Sequence, residues 1–304
     1  MRALSSGFSL VAAFTVVAAV PNTANARLWG ETGHLIIGDA AAAALPAEMP
    51  EFFRNARAQL SYLNPEPDRW RDSKERALDP ALNDAASIEH FIDLEAVPGN
   101  ALNAINRYAF LDSVHAHGGV GSGPGLLPYK ILELTQTLRI EFRLWRAATD
   151  PATKKDIEAR IVNDAGILGH YVADGSNPHH TTVNHDGWAQ PENPKGFSTA
   201  KGFHARFESQ YVQTHMTRAD IDPLIAKTAV VVSPVRDGVW MYLRTSLGQL
   251  DRLYELDKAE PFNAQTKSAD HKQFTAERLA AGAQMLRDLW WTTWVSSAPD
   301  WTGK

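Results

Sequence analysis

Four histidines fall close together in the chain: His170, His179, His180 and His185. Asp174 and Asp186 stand among them, and His204 and Glu208 follow. His170 and Asp174 are four positions apart, and so are His204 and Glu208. On a helix that spacing puts both side chains on one face, where an imidazole and a carboxylate can share a metal ion. One such pair recurs by chance and reads equally as a solvated polar face. Two of them flanking a histidine-rich loop are a stronger signal. The chain has no cysteine, so a metal site must use His, Asp and Glu, a donor set that suits zinc.

Pairs of this kind need helices to carry them. Gly38 to Leu45 is an alanine-rich run typical of a buried helix, stopping near Pro46 and Pro50. From Leu126 to Trp145, apolar residues such as Ile131, Leu134, Leu138 and Phe142 recur at the spacing of one helix face. Pro151 opens a further helix that continues through Ile157 and Ile161 to Val172. Residues 175–200 read as a loop, and a helix then carries Phe203 to Tyr211. Asp222 to Leu253 reads as helix after the Ser233-Pro234 break, and Glu277 to Trp294 as an aromatic-rich amphipathic helix. The expected architecture is all-α, a single multi-helical domain over residues 27–304.

Arg2, the apolar run Phe8 to Val20 and the small-x-small site Ala24-Asn25-Ala26 have the form of an export signal, residues 1–26. The run is shorter than the roughly 20 apolar residues that span a bilayer. No later stretch is long enough either, so the expected mature chain is secreted or periplasmic, without a transmembrane segment, and monomeric. A hydrophobic content of 44% is ordinary for a globular protein. The net charge of −5 leaves no basic footprint for a stable nucleic-acid complex held by charge. There is no His-Glu-x-x-His, no Gly-x-Ser-x-Gly elbow and no P-loop. Gly118 to Gly125 lacks the Lys-Ser/Thr ending of a P-loop and reads as a flexible surface loop. His115 and His117 just ahead of it read as exposed loop residues.

Two more histidines sit in motifs that are weak alone: Trp29-Gly30-Glu31-Thr32-Gly33-His34 and Glu89-His90-Phe91-Ile92-Asp93. After them come His170-x-x-x-Asp174-x-x-x-Pro178-x-His180 and His204-x-x-x-Glu208. In this order, over residues 29–208, the chain resembles the superfamily of zinc-dependent phospholipases C and single-strand-specific nucleases. The most specific piece is His170 to His180, whose spacing selects His180 over His179. The resemblance implies a helical fold holding three zinc ions. One would take Asp68, His90, His170 and Asp174. Asp174 would bridge to a second, held by His34 and the backbone amine and carbonyl of Trp29. A third, more exposed, would take His180, His204 and Glu208. The carboxylate expected before the His-Phe motif has two candidates in Pro67-Asp68-Arg69-Trp70-Arg71-Asp72; Asp68 is preferred and Asp72 is the rival. In the family the tryptophan is the first mature residue, whereas cleavage after Ala26 leaves Arg27 and Leu28 ahead of Trp29.

Zinc lowers the pKa of bound water to about 7, and closely spaced metals clamp the attacking and leaving oxygens of an in-line displacement. The resemblance thus implies a phosphodiester hydrolase in which Asp68 also takes a proton from the attacking water. Glu208 is similar to the phospholipase C branch, and Asn184-His185-Asp186-Gly187-Trp188 replaces the Gly-Gly-Asn stretch of the nucleases. The short interval from Trp29 to His34 is similar to the nuclease branch. The expected substrate is a phospholipid, with single-stranded nucleic acid as the alternative. A third reading is an exported zinc-binding protein without catalysis.

Overall fold

The computed structural model describes residues 29–121 and 123–302, and the expected export signal lies outside them. The described residues form helices and loops without a β-strand; a single bridge joins His185 and Gly187. No helix among them is long and apolar enough to cross a membrane.

The centre is the Pro151–Ser176 helix. Asp150 caps it by accepting the Thr153 N–H, and Pro151 occupies the first turn, where its missing N–H costs nothing. From Leu168 to Ser176 every residue is buried, as befits a helix end enclosed on all sides. The helices Gly30–Ala43, Arg57–Leu63, Leu127–Ala147, Val235–Leu247 and Ala269–Val295 surround it.

Glycines let one of those helices come very close. A Cβ on Gly166 would lie 2.4 Å from Leu63 Cβ, and one on Gly169 would lie 2.5 Å from the side-chain nitrogen of Asn64. The Arg57–Leu63 helix therefore rests almost on the backbone of its neighbour and delivers Asn64 beside His170. Leu127–Ala147 turns Ile131, Leu138 and Phe142 inward. Trp290 of Ala269–Val295 is fully buried, edge-on to Phe53 at 5.4 Å, with its indole N–H on the Ala165 carbonyl. Each fully buried Leu or Phe of this core contributes roughly 1.5–3 kcal/mol.

Helix boundaries depart from the sequence expectation for identifiable reasons. The alanine-rich helix starts at Gly30, not Gly38, so His34 lies inside it; its polar first turn hid the start. The Pro151 helix runs past Val172 because Gly175 lets Tyr242 and Leu243 close against it. The helix expected after the Ser233-Pro234 break is present as two, Val235–Leu247 and Leu250–Ala259, preceded by a short 3₁₀ turn at Asp222–Leu224 and an irregular passage. In that passage the N–H groups of Val230 and Val232 bond the side chains of Asp288 and Thr292, which tie it to the last helix. That last helix begins at Ala269, capped by Ser268, and not at Glu277.

Candidate metal centre

Separate elements send side chains to one buried point. His34 comes from Gly30–Ala43, Asp68 from the short Glu66–Arg69 helix, His90 from the 88–93 loop, and His170 and Asp174 from the central helix. His34 and His170 stack with ring centroids 4.1 Å apart. His34 Nε2 lies 3.6 Å from Asp174 Oδ1 and 3.9 Å from Asp68 Oδ2. His90 Nδ1 lies 2.9 Å from His170 Nε2, 3.1 Å from Asp174 Oδ2 and 3.8 Å from Asp68 Oδ1. Three sets of donor atoms could each hold a metal ion: His34, Asp68 and His170; His90, His170 and Asp174; His180, His204 and Glu208.

Three of the rings are turned by a bond on the outer nitrogen. His34 Nδ1–H donates to Asn64 Oδ1 at 2.8 Å, His170 Nδ1–H to the Asn64 carbonyl at 2.9 Å, and His180 Nδ1–H to the His90 carbonyl at 2.6 Å. A carbonyl only accepts, so Nδ1 carries the hydrogen and Nε2 is the nitrogen left to face a cation.

The electrostatics favour a cation as well. Burial, then the neighbouring His170, lowers the His34 imidazole to about 3, so it is neutral at pH 7. Burial pushes the Asp68 carboxyl up to about 7, with Asp174 adding to the rise against His170 and Arg71. Burial works the same way on Asp174, but His170 and His180 prevail and hold it well below the usual carboxylate range. Two carboxyl groups shut away together are relieved by a positive ion between them. Asp68 Oδ2 and Asp174 Oδ1 are buried without a hydrogen-bond partner, and each unmet acceptor costs about 1–3 kcal/mol. Imidazoles and carboxylates without thiols, arranged in this way, fit zinc.

The third set lies nearer solvent. His204 Nε2 is 2.8 Å from Glu208 Oε2 and 3.2 Å from His180 Nε2. The His204 side chain is 14% exposed, while His180 and Glu208 are buried. Burial opposes a charge on His180, yet Asp174 and Glu208 raise it to about 9. Glu208 sits in a π-helical turn, Arg206–Tyr211, within the helical run from Phe203 to His215; such turns recur at functional sites. Asp186 Oδ1 accepts the N–H groups of Gly202 and His204 and so fixes the start of that run.

Of the residues singled out from the sequence, His34, Asp68, His90, His170, Asp174, His180, His204 and Glu208 converge here. Trp29 reaches the centre from the Glu208 side: its backbone N–H donates to Glu208 Oε2 at 2.7 Å, and its indole N–H to the Ala173 carbonyl. Asp72 stays away, exposed and capping the Ser73–Leu78 helix. His179 diverges from His180 and is buried among Phe203, Phe207 and Tyr254, with neither ring nitrogen hydrogen-bonded. His115 and His117 are exposed and bond the local carbonyls of Gly121 and Ser113. The glycine-rich stretch is not a free loop at its end. Gly125 has φ +97°, and a Cβ there would fall 2.2 Å from the Phe91 carbonyl. Asp93 N–H donates to the Pro124 carbonyl and Leu126 N–H to that of Ile88, so this end clamps the His90 segment.

Two contributors escaped the sequence reading. Asn64 orients two histidines, and nothing in its type or spacing marks it. Arg71 places Nη1 3.7 Å from Asp68 Oδ1; its position three residues after Asp68 was the available signal. A cleft of about 260 Å³ leads to the centre, lined by Arg71, Phe91, Asp93, His180, His185 and His204 among others. Burial, with Glu95 nearby, pushes the Asp93 carboxyl up to about 6. A larger cavity of about 470 Å³ between the 188–197 loop and Asp251 holds none of these side chains.

No family model and no curated protein matches the chain. Among solved structures it is similar to the alpha toxin from Clostridium absonum, at 12% identity and a TM-score of 0.41, over 90% of this chain and 65% of that one. It is also similar to the Clostridium perfringens alpha-toxin isolated from avian strain SWCP, at 12% identity and a TM-score of 0.38, over 89% of this chain and 64% of that one. The chain thus spans less than two thirds of the length of either toxin.

Proposed function

We propose that the chain is a zinc-dependent hydrolase of phosphodiesters. Three metals would be held by Asp68, His90, His170 and Asp174; by His34, Asp174 and, once processing makes Trp29 the first residue, its amine and carbonyl; and by His180, His204 and Glu208. The observation that carries this reading is the pair of buried, unpartnered carboxylate oxygens, Asp68 Oδ2 and Asp174 Oδ1, facing His34 Nε2 beside an open cleft. Zinc bound there would supply Lewis acidity towards water and a phosphoryl oxygen. The chain's own groups do the rest. Asp68, buried beside His34 and Arg71, takes the proton of the attacking water. Arg71 presents a guanidinium to a phosphate oxygen entering the cleft. The buried rings, oriented by Asn64, keep the donor set in place as charge develops.

A phospholipid is the favoured substrate. The cleft holds one arginine and no run of cations, in a chain of net charge −5. Trp70 and Leu78, 49% and 79% exposed, offer apolar surface on the segment around Arg71. Single-stranded nucleic acid is the second reading, and it rests on Phe91 and Asp93 in the cleft wall. A base stacks on an aromatic face, and a carboxyl near 6 can meet the base edge with or without its proton. We read the protein as exported and monomeric; N-terminal sequencing of the mature chain and its mass in solution test both. The zinc-loaded protein should release phosphocholine from phosphatidylcholine, and a chelator should stop it. Cleavage of single-stranded DNA alone moves the substrate to the second reading. Three bound zincs with no hydrolysis of phosphatidylcholine, DNA or bis(p-nitrophenyl) phosphate would sink the enzymatic reading and leave a zinc-binding protein.

A further inference from the structure

A further cavity, of about 320 Å³, lies between the Leu127–Ala147 helix and the start of the Val235–Leu247 helix. Arg139, Arg143 and Arg236 line it together with Leu132, Ile140 and Val235. None of the three guanidinium groups has a carboxylate within the 4.0 Å of an ion pair among the described residues.

The three cations are held close by the fold at a cost. Arg139 and Arg143 are four residues apart on one helix, where like charges repel. Burial and the nearness of Arg143 lower the Arg139 guanidinium from its ordinary value, and its Nε is buried without a hydrogen-bond partner. Arg236 is locked in place, donating to the carbonyls of Ala104 and Ile105 at 2.8 Å each. Arg143 donates one weak bond, at 3.4 Å, to the Ser296 carbonyl. Val235 and Arg236 also open a helix whose N-terminus has no side-chain cap. Its orphan amides add partial positive charge, which Asp237 in the same turn partly offsets.

We propose that this cavity is a binding site for a phosphate oxyanion, separate from the metal centre. Guanidinium groups match phosphate oxygens bidentately, and an anion here would offset the repulsion between Arg139 and Arg143. The apolar lining leaves room for a carbon substituent on the phosphate, so the ligand is either soluble phosphate or the headgroup of an anionic lipid. The site does not rest on the hydrolytic reading.

The test uses the mature, metal-loaded protein and the variant R139Q/R143Q. Inorganic phosphate is titrated calorimetrically, and binding is measured to vesicles of phosphatidylcholine with and without phosphatidylglycerol. The double variant should lose about tenfold or more of the affinity for the bound probe, with its melting temperature and its hydrolysis of bis(p-nitrophenyl) phosphate unchanged. Phosphate bound at the metals persists in both proteins and is subtracted. Loss confined to inorganic phosphate assigns a soluble ligand; loss confined to phosphatidylglycerol vesicles assigns a lipid headgroup. Equal affinities in parent and variant, or binding of neither probe, overturn the proposal. If the double variant melts early, the single change R143Q, at an exposed side chain, gives the same comparison.

Discussion

Asn64→Ala perturbs the metal centre without touching a metal-facing atom. Asn64 is fully buried; its side-chain oxygen receives the His34 N–H at 2.8 Å, and its backbone carbonyl receives that of His170 at 2.9 Å. Alanine keeps the carbonyl and deletes the amide, so His170 stays oriented while His34 loses its anchor. A buried donor left unpaired costs about 1–3 kcal/mol. Removing the partner of a metal-ligating histidine costs about 10–100-fold in metal affinity. At about 1.4 kcal/mol per factor of ten, the two estimates agree. In competition with a chromophoric chelator, a zinc held at His34 as proposed should therefore leave about 10–100-fold more readily than in the parent. The other two should titrate as before, and the far-ultraviolet circular dichroism should not change. Unaltered zinc release would refute the reasoning, because the Asn64 amide would then be irrelevant to His34.

Gly169→Ala would set a Cβ 2.5 Å from Asn64 Nδ2 and 3.1 Å from Leu286 Cδ2. Such overpacking costs about 1–3 kcal/mol and should lower the urea midpoint; an unchanged midpoint would mean the helices part freely. Asp68→Asn should abolish hydrolysis, yet at pH 8 its metal-free form should melt above the metal-free parent, because burial penalises the charged carboxyl. A lower melting temperature would show that the aspartate charge is favourable without metal. Chelation should lower the parent's melting temperature by differential scanning fluorimetry, since metal binds the folded centre and not the open chain. Glu141 offers a pH test away from the site. Burial, then the nearby Asp164, pushes its carboxyl from 4.5 to about 7. Between those values the native state holds a proton that the unfolded chain has lost, so stability falls as pH rises through that window. Glu141→Gln should flatten this slope, by at most about 3 kcal/mol at pH 8; an equally steep pH profile in the variant would assign the slope elsewhere.

The helical class and the pairs His170/Asp174 and His204/Glu208 were legible in the sequence because both depend on local geometry. A helix returns to the same face every three to four residues whatever surrounds it, so spacing alone brings those donors together. Helix ends were less legible. Polar first turns, as at Gly30, carry no apolar period, and the passage before Val235 is held by side chains of a distant helix. Only the tertiary structure decided the rest of the centre. His34, Asp68 and His90 reach it because Gly166 and Gly169 allow close helix packing and because Gly125 and Pro124 clamp the His90 loop. Packing also turned His179 into an aromatic cage while His180 turned to Glu208, a choice that two adjacent histidines cannot reveal. Asp68 and Asp72 separated for a like reason: one side chain was buried against histidines, the other was taken by a helix cap. Side-chain direction across elements depends on where neighbours leave room, and that is settled when the helices pack, not along the chain.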